Sequence, residues 1–328
     1  MGEFDLIARY FTRPAPQGRG VALGVGDDCA LLAPRPGMQL AVSSDMLVEG
    51  RHFFSDVDPA ALGHKALAVN LSDLAACGAR PLAFTLALAL PRIDERWLQG
   101  FAQGLFALAD AHGCTLVGGD TTAGPLNLCI TVFGEVPAGQ ALLRSGARAG
   151  DDVWVSGAPG QARLALGALR GEWALPEALL APLRTRLERP LPRVALGQRL
   201  RRLAHAMLDV SDGLLGDLSH LLAASSVGAT VDANAATHPL IADSASGAGV
   251  TGLSSMETLR RCALAGGDDY ELLFTAAPAQ RAAVQAAAAA SATPVTRIGR
   301  IEAAPGLRLV DAQGAPVAGQ FAGYDHFA

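Results

Sequence analysis

The chain has 328 residues, of which 17% are charged, with a formal net charge of -5 and no run of basic residues. That length suits two domains, and the charge argues against nucleic-acid or anionic-membrane binding driven by bulk electrostatics. Its one lysine, Lys65, stands in Gly-His-Lys-Ala and so excludes a Walker A loop, and Cys29, Cys77, Cys114, Cys129 and Cys262 form no C-x-x-C pair that would suggest zinc or disulfides.

Met1–Tyr10 carries Glu3 and Asp5 and no apolar signal core. The longest apolar run, Leu82–Leu90, is strand-length, well short of the ~20 residues of a membrane span. A cytoplasmic protein is expected. Runs rich in Val, Leu and Ile predict strands at Val21–Val25, Gln39–Ser43, Leu82–Leu90, Cys114–Val117 and Asn127–Val136. Asp58 followed by Pro59 opens a helix that Gly78 closes, and Asp94 caps another that ends before Gly113. Ser145–Asp152 is a Gly-rich polar joint, with Asp151 and Asp152 read as surface turn, and the boundary is placed at 148/149. Beyond it, strands are predicted at Asp152–Ser156, Ala206–Val210, Ala229–Val231, Tyr270–Thr275, Thr296–Ile301 and Leu307–Val310. Helical patterns cover 161–203, broken near Pro176, Pro190 and Pro192, then Asp212–Ala224 and Pro278–Ala290. The order predicts the α+β class, with two α/β-sandwich domains, 1–148 and 149–328. Helices would cover one face of a mixed or antiparallel sheet in each.

Six acidic nodes stand out. They are Gly26-Asp27-Asp28, Ser43-Ser44-Asp45, Asn70-x-x-Asp73, Gly119-Asp120, Asp209-x-Ser211-Asp212 and Gly267-Asp268-Asp269. Most are expected at strand ends beside glycine or a hydroxyl residue, whereas Asn70 and Asp73 share a helix face. A single such Asp is an ordinary turn former or N-cap, and Asp28 and Asp269 read as the structural members of their pairs. Six nodes in a chain so poor in charge ask for more, because clustered carboxylates repel unless cations sit between them. Oxygen-only ligands select hard cations. Magnesium, held by one or two carboxylates with water and substrate phosphates, fits scattered acids better than calcium, for which no EF-hand spacing exists.

The blocks Gly-Val-Gly-Asp-Asp-Cys-Ala, Ser-Ser-Asp-Met-Leu-Val-Glu-Gly-Arg-His-Phe, Asn-Leu-Ser-Asp-Leu, Gly-Gly-Asp-Thr-Thr, Leu-Asp-Val-Ser-Asp-Gly-Leu, Gly-Gly-Asp-Asp-Tyr-Glu-Leu and Gly-Tyr-Asp-His-Phe occur in that order. Together they resemble the thiamine-monophosphate kinase family. The resemblance implies the fold shared with aminoimidazole ribonucleotide synthetase: a homodimer formed through the N-terminal sheet, and a C-terminal mixed sheet with helices that completes the nucleotide and substrate site. It implies transfer from ATP to thiamine monophosphate, giving thiamine diphosphate, with several magnesium ions. By the same resemblance Asp27, Ser43, Ser44, Asp45, Asp73, Asp120, Asp209 and Asp212 would bind metal. Gly119, Asp120, Arg144 and Ser211 would contact ATP, and His52, Asp268 and Tyr324 the thiamine phosphate. The chain departs from the family's pattern at Met46, where a hydroxyl is common, at Asp268, where a glutamate is common, and at Arg51, where an apolar residue is common. The acceptor phosphate is largely dianionic near neutral pH, so no catalytic side chain is expected and transfer would be direct and in line. The alternatives are another ATP-dependent synthetase of the same fold group, or a non-catalytic nucleotide-binding regulator, which would be expected to lose some of the acidic nodes.

Overall fold

The computed structural model describes residues 2–13, 20–242, 255–319 and 321. Contacts divide the chain into two units, Met1–Leu74 with Ala79–Ala141, and Ala75–Gly78 with Leu142–Ala328.

The first unit opens with a helical segment, Glu3–Leu6 running into Ile7–Phe11. A small antiparallel ribbon follows, β1 (Val21–Leu23) and β2 (Leu31–Leu32), and then β3 (Met38–Val48), α1 (Pro59–Ala76), β4 (Arg80–Leu90), α2 (Glu95–His112), β5 (Thr115–Ala123) and β6 (Asn127–Pro137). The main sheet has the order β3-β6-β4-β5 and is parallel only between β4 and β5. Asp94 caps α2 by accepting the Arg96 and Trp97 N–H groups, and Gly113 ends it in a left-handed conformation. The two helices meet at backbone distance. A Cβ on Gly63 would lie 2.1 Å from the Phe101 carbonyl oxygen, and one on Gly104 would lie 1.8 Å from that of Ala60, so only glycine fits there. Around this crossing Leu62, Leu67, Leu71, Phe84, Leu98, Phe101 and Leu105 are buried, each contributing about 1.5–3 kcal/mol of transfer energy.

The second unit contains β7 (Asp152–Ser156), α3 (Gln161–Leu169), α4 (Glu177–Glu188), α5 (Val194–Leu200), β8 (Ala204–Val210), α6 (Leu214–Ser225), β9 (Gly228–Asp232), α7 (Ala233–Ala242), α8 (Met256–Ala265), β10 (Glu271–Ala276), α9 (Arg281–Ala290), β11 (Val295–Glu302) and β12 (Gly306–Val310). Its mixed sheet runs β12-β9-β11-β7-β10-β8, with one parallel pair, β12 and β9. Every residue of β7 and β10 is buried, so the sheet's centre is covered on both faces where one covered face was expected.

Three further readings change. First, β3 and β5 run well past the predicted Gln39–Ser43 and Cys114–Val117, so Asp45 and Asp120 lie inside strands rather than at their ends. Second, α7 and α8 were not predicted. Pro239 reads locally as a breaker, yet α7 keeps its helix with Ala233, Ala236 and Leu240 buried. Third, Asp151 and Asp152 are no surface turn, for both are buried, Asp151 against His205 and Asp152 against Arg281 and Arg297. Among the described residues no helix is long and apolar enough to cross a membrane.

Candidate functional site

In the first unit the two-residue period of β3 sorts its hydroxyls and acids by face. Ser43 donates its Oγ–H to Asp73 Oδ2 at 2.5 Å, and the Asp45 N–H donates to Asn70 Oδ1 at 3.1 Å. Ser43, Asp45, Asn70 and Asp73 are thus brought together between β3 and one face of α1. Ser44 points the other way, 3.2 Å from the Ile130 carbonyl and 3.0 Å from Thr131 Oγ1. His52 sits in the turn after β3. Its Nδ1 accepts the Val48 N–H at 3.0 Å, which places the proton of the neutral ring on Nε2 as a donor. The buried Lys65 ammonium holds the same turn by donating to the His52 carbonyl at 3.1 Å.

The same unit contains a cavity of about 670 Å³, a size suited to a nucleotide. Asp27, Asp28, Gly118, Gly119, Asp120 and Thr121 are among its polar lining, and Ile7, Phe11, Leu86 and Val117 among its apolar lining. A Cβ on Gly119 would lie 1.8 Å from the Leu86 carbonyl oxygen, so glycine is required for β5 to run against β4 there. Asp27 and Asp120 are exposed, and each accepts the N–H of the next residue, at 2.8 and 2.9 Å. Among the described residues neither forms an ion pair with an arginine or lysine.

In the second unit three backbone N–H groups, of Ser211, Asp212 and Gly213, all donate to Asp217 Oδ2 at 3.1 Å. Burial raises the Asp217 pKa and the nearby Asp212 charge adds to this, while the three N–H groups oppose it. Asp209 is buried at the end of β8. Arg144 is exposed, and its carbonyl accepts the Ser225 hydroxyl at 3.0 Å.

The segment entering β10 is tightly specified. Asp268 and Tyr270 have φ of 66° and 53°, left-handed values that cost non-glycine residues about 1 kcal/mol or more each. Their N–H groups donate to the Ser211 and Val210 carbonyls, both at 2.8 Å. Ser211, Asp212 and Asp268 therefore lie on adjoining loops. The Tyr270 hydroxyl donates to Asp268 Oδ1 at 3.1 Å. Both Asp269 oxygens accept the Gly160 N–H at the start of α3, at 2.9 and 2.8 Å, the structural role expected of that residue. Loss of solvent, then the Glu271 and Asp268 charges, hold the Asp269 pKa well above the usual carboxylate range against the pull of Gly160. Glu271 is clamped by Arg193 at 2.7 and 2.5 Å and by the Ser156 hydroxyl at 2.5 Å.

Tyr324 lies outside the described residues. Sequence reasoning missed Asp217, Tyr270 and Arg193. For Asp217 the signal was an acid inside the first turns of a helix beginning Ser-Asp-Gly.

Among the described residues no three His, Cys, Asp or Glu side chains converge to hold a metal ion. The donors are isolated carboxylates beside hydroxyls. That set suits magnesium, which takes few protein ligands and completes its shell with water and phosphate oxygens.

Residues 26–136 match the family model for AIR synthase related protein, N-terminal domain, and residues 148–312 match the one for its C-terminal domain. A thiamine-monophosphate kinase of Salmonella typhimurium is 46% identical over 329 aligned positions, covering 100% of this chain and 98% of that protein. The crystal structure of thiamine-monophosphate kinase from Stenotrophomonas maltophilia K279a aligns with a TM-score of 0.82 at 47% identity over 96% of each chain. A structure of AaThiL complexed with AMPPCP and TMP aligns with a TM-score of 0.74 at 28% identity, over 90% of this chain and 89% of that one.

Proposed function

Because the chain belongs to the thiamine-monophosphate kinase family and is an enzyme of that kind, we propose that it transfers the γ-phosphoryl group of ATP directly to the phosphate of thiamine monophosphate, in a magnesium-dependent reaction. The observation that carries this reading is the nucleotide-sized cavity lined by Asp27, Gly119 and Asp120.

Magnesium, when bound, would neutralise charge between two anions that otherwise repel. Asp27, Ser43, Ser44, Asp45, Asp73 and Asp120 in the first unit, and Asp209 and Asp212 in the second, are the proposed ligands. Ser44 faces away from Ser43 and Asp45, so its ligand role is separate from theirs. Gly119, Asp120, Arg144 and Ser211 are proposed to contact ATP, with the exposed guanidinium of Arg144 as a clamp on the triphosphate. His52, Asp268 and Tyr324 are proposed to contact the acceptor. The Nε2–H of His52 suits a phosphate oxygen, and an acid at position 268 suits a cationic substrate.

The enzyme is further proposed to be a homodimer. β3 is an edge strand, and Leu40, Val42 and Met46 expose one apolar face of it. An edge of this kind is normally covered, and a second copy is the expected cover.

The deciding experiment measures ADP release from ATP and magnesium, with and without thiamine monophosphate, for the wild type and Asp45→Asn. Acceptor-dependent ADP and thiamine diphosphate, lost with EDTA and in the variant, are expected. Turnover that does not depend on the acceptor would sink the assignment and leave the related synthetases or a regulatory nucleotide binder.

A further inference from the structure

We propose that Asn70, buried in α1, is a positioning residue for the phosphoryl transfer: its carboxamide sets the backbone of β3 at Asp45 and thereby aims the Asp45 carboxylate. The inference rests on the reading of Asp45 as a magnesium ligand.

An asparagine is unexpected at this point of α1. It is 1% exposed, and its helix neighbours Leu67, Leu71 and Leu74 are buried too. Asparagine is a poor helix former, and a buried amide costs free energy unless its polar atoms find partners. Both ends of this amide are used. Nδ2 donates to the Ala66 carbonyl at 3.0 Å, one turn earlier in the same helix, and Oδ1 accepts the Asp45 N–H at 3.1 Å. The first bond fixes which end of the amide faces β3. Leucine or alanine would offer neither contact, and a carboxylate has no donor for the first.

The strand side needs such a partner. β3 lies at the edge of its sheet, with β6 as its strand neighbour, and an edge strand presents N–H groups that no ladder satisfies. The Asp45 N–H is turned to α1 instead. Its direction fixes the peptide plane between Ser44 and Asp45, and with it the line along which the Asp45 side chain leaves the strand. Asp73, on the same face of α1 as Asn70, accepts the Ser43 hydroxyl at 2.5 Å, and Ser43 and Asp45 share one face of β3. The two contacts differ in kind. Ser43 and Asp73 meet through the oxygens that are themselves proposed for the cation. Asn70 holds a backbone N–H and no ligand atom, so its grip on β3 is independent of metal. It is the fixed point from which Asp45 is aimed.

The test uses the full-length enzyme, with magnesium as the probe. In Asn70→Ala the magnesium affinity, measured by calorimetry with a non-hydrolysable ATP analogue present, should weaken about ten-fold, while KM for thiamine monophosphate stays within about two-fold of wild type. Leu71→Ala separates positioning from support, because it opens a larger void in the same helix. It should lower the unfolding midpoint at least as far as Asn70→Ala does and leave magnesium affinity within about two-fold of wild type. Unchanged affinity in Asn70→Ala overturns the proposal, and so does an equal loss in both variants. Asp45→Asn keeps the two readings apart. If it weakens magnesium binding and Asn70→Ala does not, the ligand reading stands and only the role of Asn70 falls. If Asp45→Asn binds magnesium as the wild type does, the ligand reading falls and takes this proposal with it. Hydrogen exchange on the ligand-free wild type tests the contact without a variant. Exchange at the Asp45 amide should be about 100-fold or more slower than in an unstructured chain; exchange at the open-chain rate overturns the proposal.

Discussion

Asp152, Asp217 and Glu271 in the second unit are closed off by partners, whereas Asp27 and Asp120 at the first unit's cavity are left open. Asp152 meets Arg281 and Arg297, Glu271 meets Arg193 and Ser156, and Asp217 collects three N–H groups. Among the described residues Asp27 and Asp120 accept only their neighbours' N–H groups, and both face solvent. Within the first unit Glu135 shows the contrast again, buried under Arg35 and Arg80. An acid satisfied by the chain serves the fold; an acid the chain leaves open is available to a cation brought with a ligand. Substitutions should therefore separate into those that cost stability and those that cost turnover.

The largest expected effect is on stability. Arg193→Met leaves the Glu271 carboxylate buried with one hydroxyl partner. Stranding a buried charge in this way costs about 3–5 kcal/mol, read from urea unfolding. Glu271→Gln in the same chain should recover much of it. A loss below about 1 kcal/mol would mean that Glu271 is not held by Arg193 in solution.

Next comes Asp120→Asn, the opposite case. It removes an exposed charge with no cationic partner among the described residues, so the unfolding free energy should stay within about 0.5 kcal/mol of wild type. Turnover should fall by about 100-fold or more, the scale of losing an electrostatic contact in phosphoryl transfer. A variant that unfolds early and keeps its activity would reverse the comparison.

Smaller again is Tyr270→Phe. The hydroxyl orients Asp268 through one hydrogen bond to a charged group, worth about 1.5–3 kcal/mol at most. Tyr270 acts as a positioning residue, so KM for thiamine monophosphate should rise about ten-fold while kcat and the KM for ATP hold. A fall in kcat with KM unchanged would place Tyr270 elsewhere in the reaction.

Local chemistry explains which features were legible in the sequence. Strand cores announce themselves through branched apolar runs, and the Asp94 and Gly113 signals bound α2 as predicted. The acidic nodes were visible because each stands beside glycine or a hydroxyl in an apolar context. Partners were not visible. Arg193 and Glu271 are 78 residues apart and Arg281 and Asp152 are 129 apart, so no local pattern could show that Asp152 is a buried ion-pair member. Strand extent was misjudged for a related reason. Polar Ser43-Ser44-Asp45 and Gly119-Asp120 look like turns, but ladder bonds to β6 and β4 carry the strands through them. The helix α7, with Pro239 inside it, is held by burial of Ala233, Ala236 and Leu240, a tertiary effect that overrides propensity.

The smallest effect concerns pH, and its sign follows from the pairing. Hydrogen bonds from Arg281, and with them its charge and Arg297, outweigh the cost of burial and hold the Asp152 carboxyl below its usual range. Its folded pKa is therefore below the unfolded value of about 3.9. Between the two values the unfolded chain binds the extra proton, so this stabilisation is complete above the unfolded pKa and is lost as pH falls through the folded one. The effect is modest because the two arginine side chains are 49% and 52% exposed, and water screens them. Asp152→Asn should lower stability at neutral pH and flatten the acid limb of a urea-midpoint profile below about pH 4. Glu135, also held low by its arginines although burial opposes them, should keep a residual slope in that variant, which Glu135→Gln then removes. If the limb stays as steep with both acids replaced, acid unfolding is set by other carboxylates, and the contrast between closed and open acids does not extend to pH.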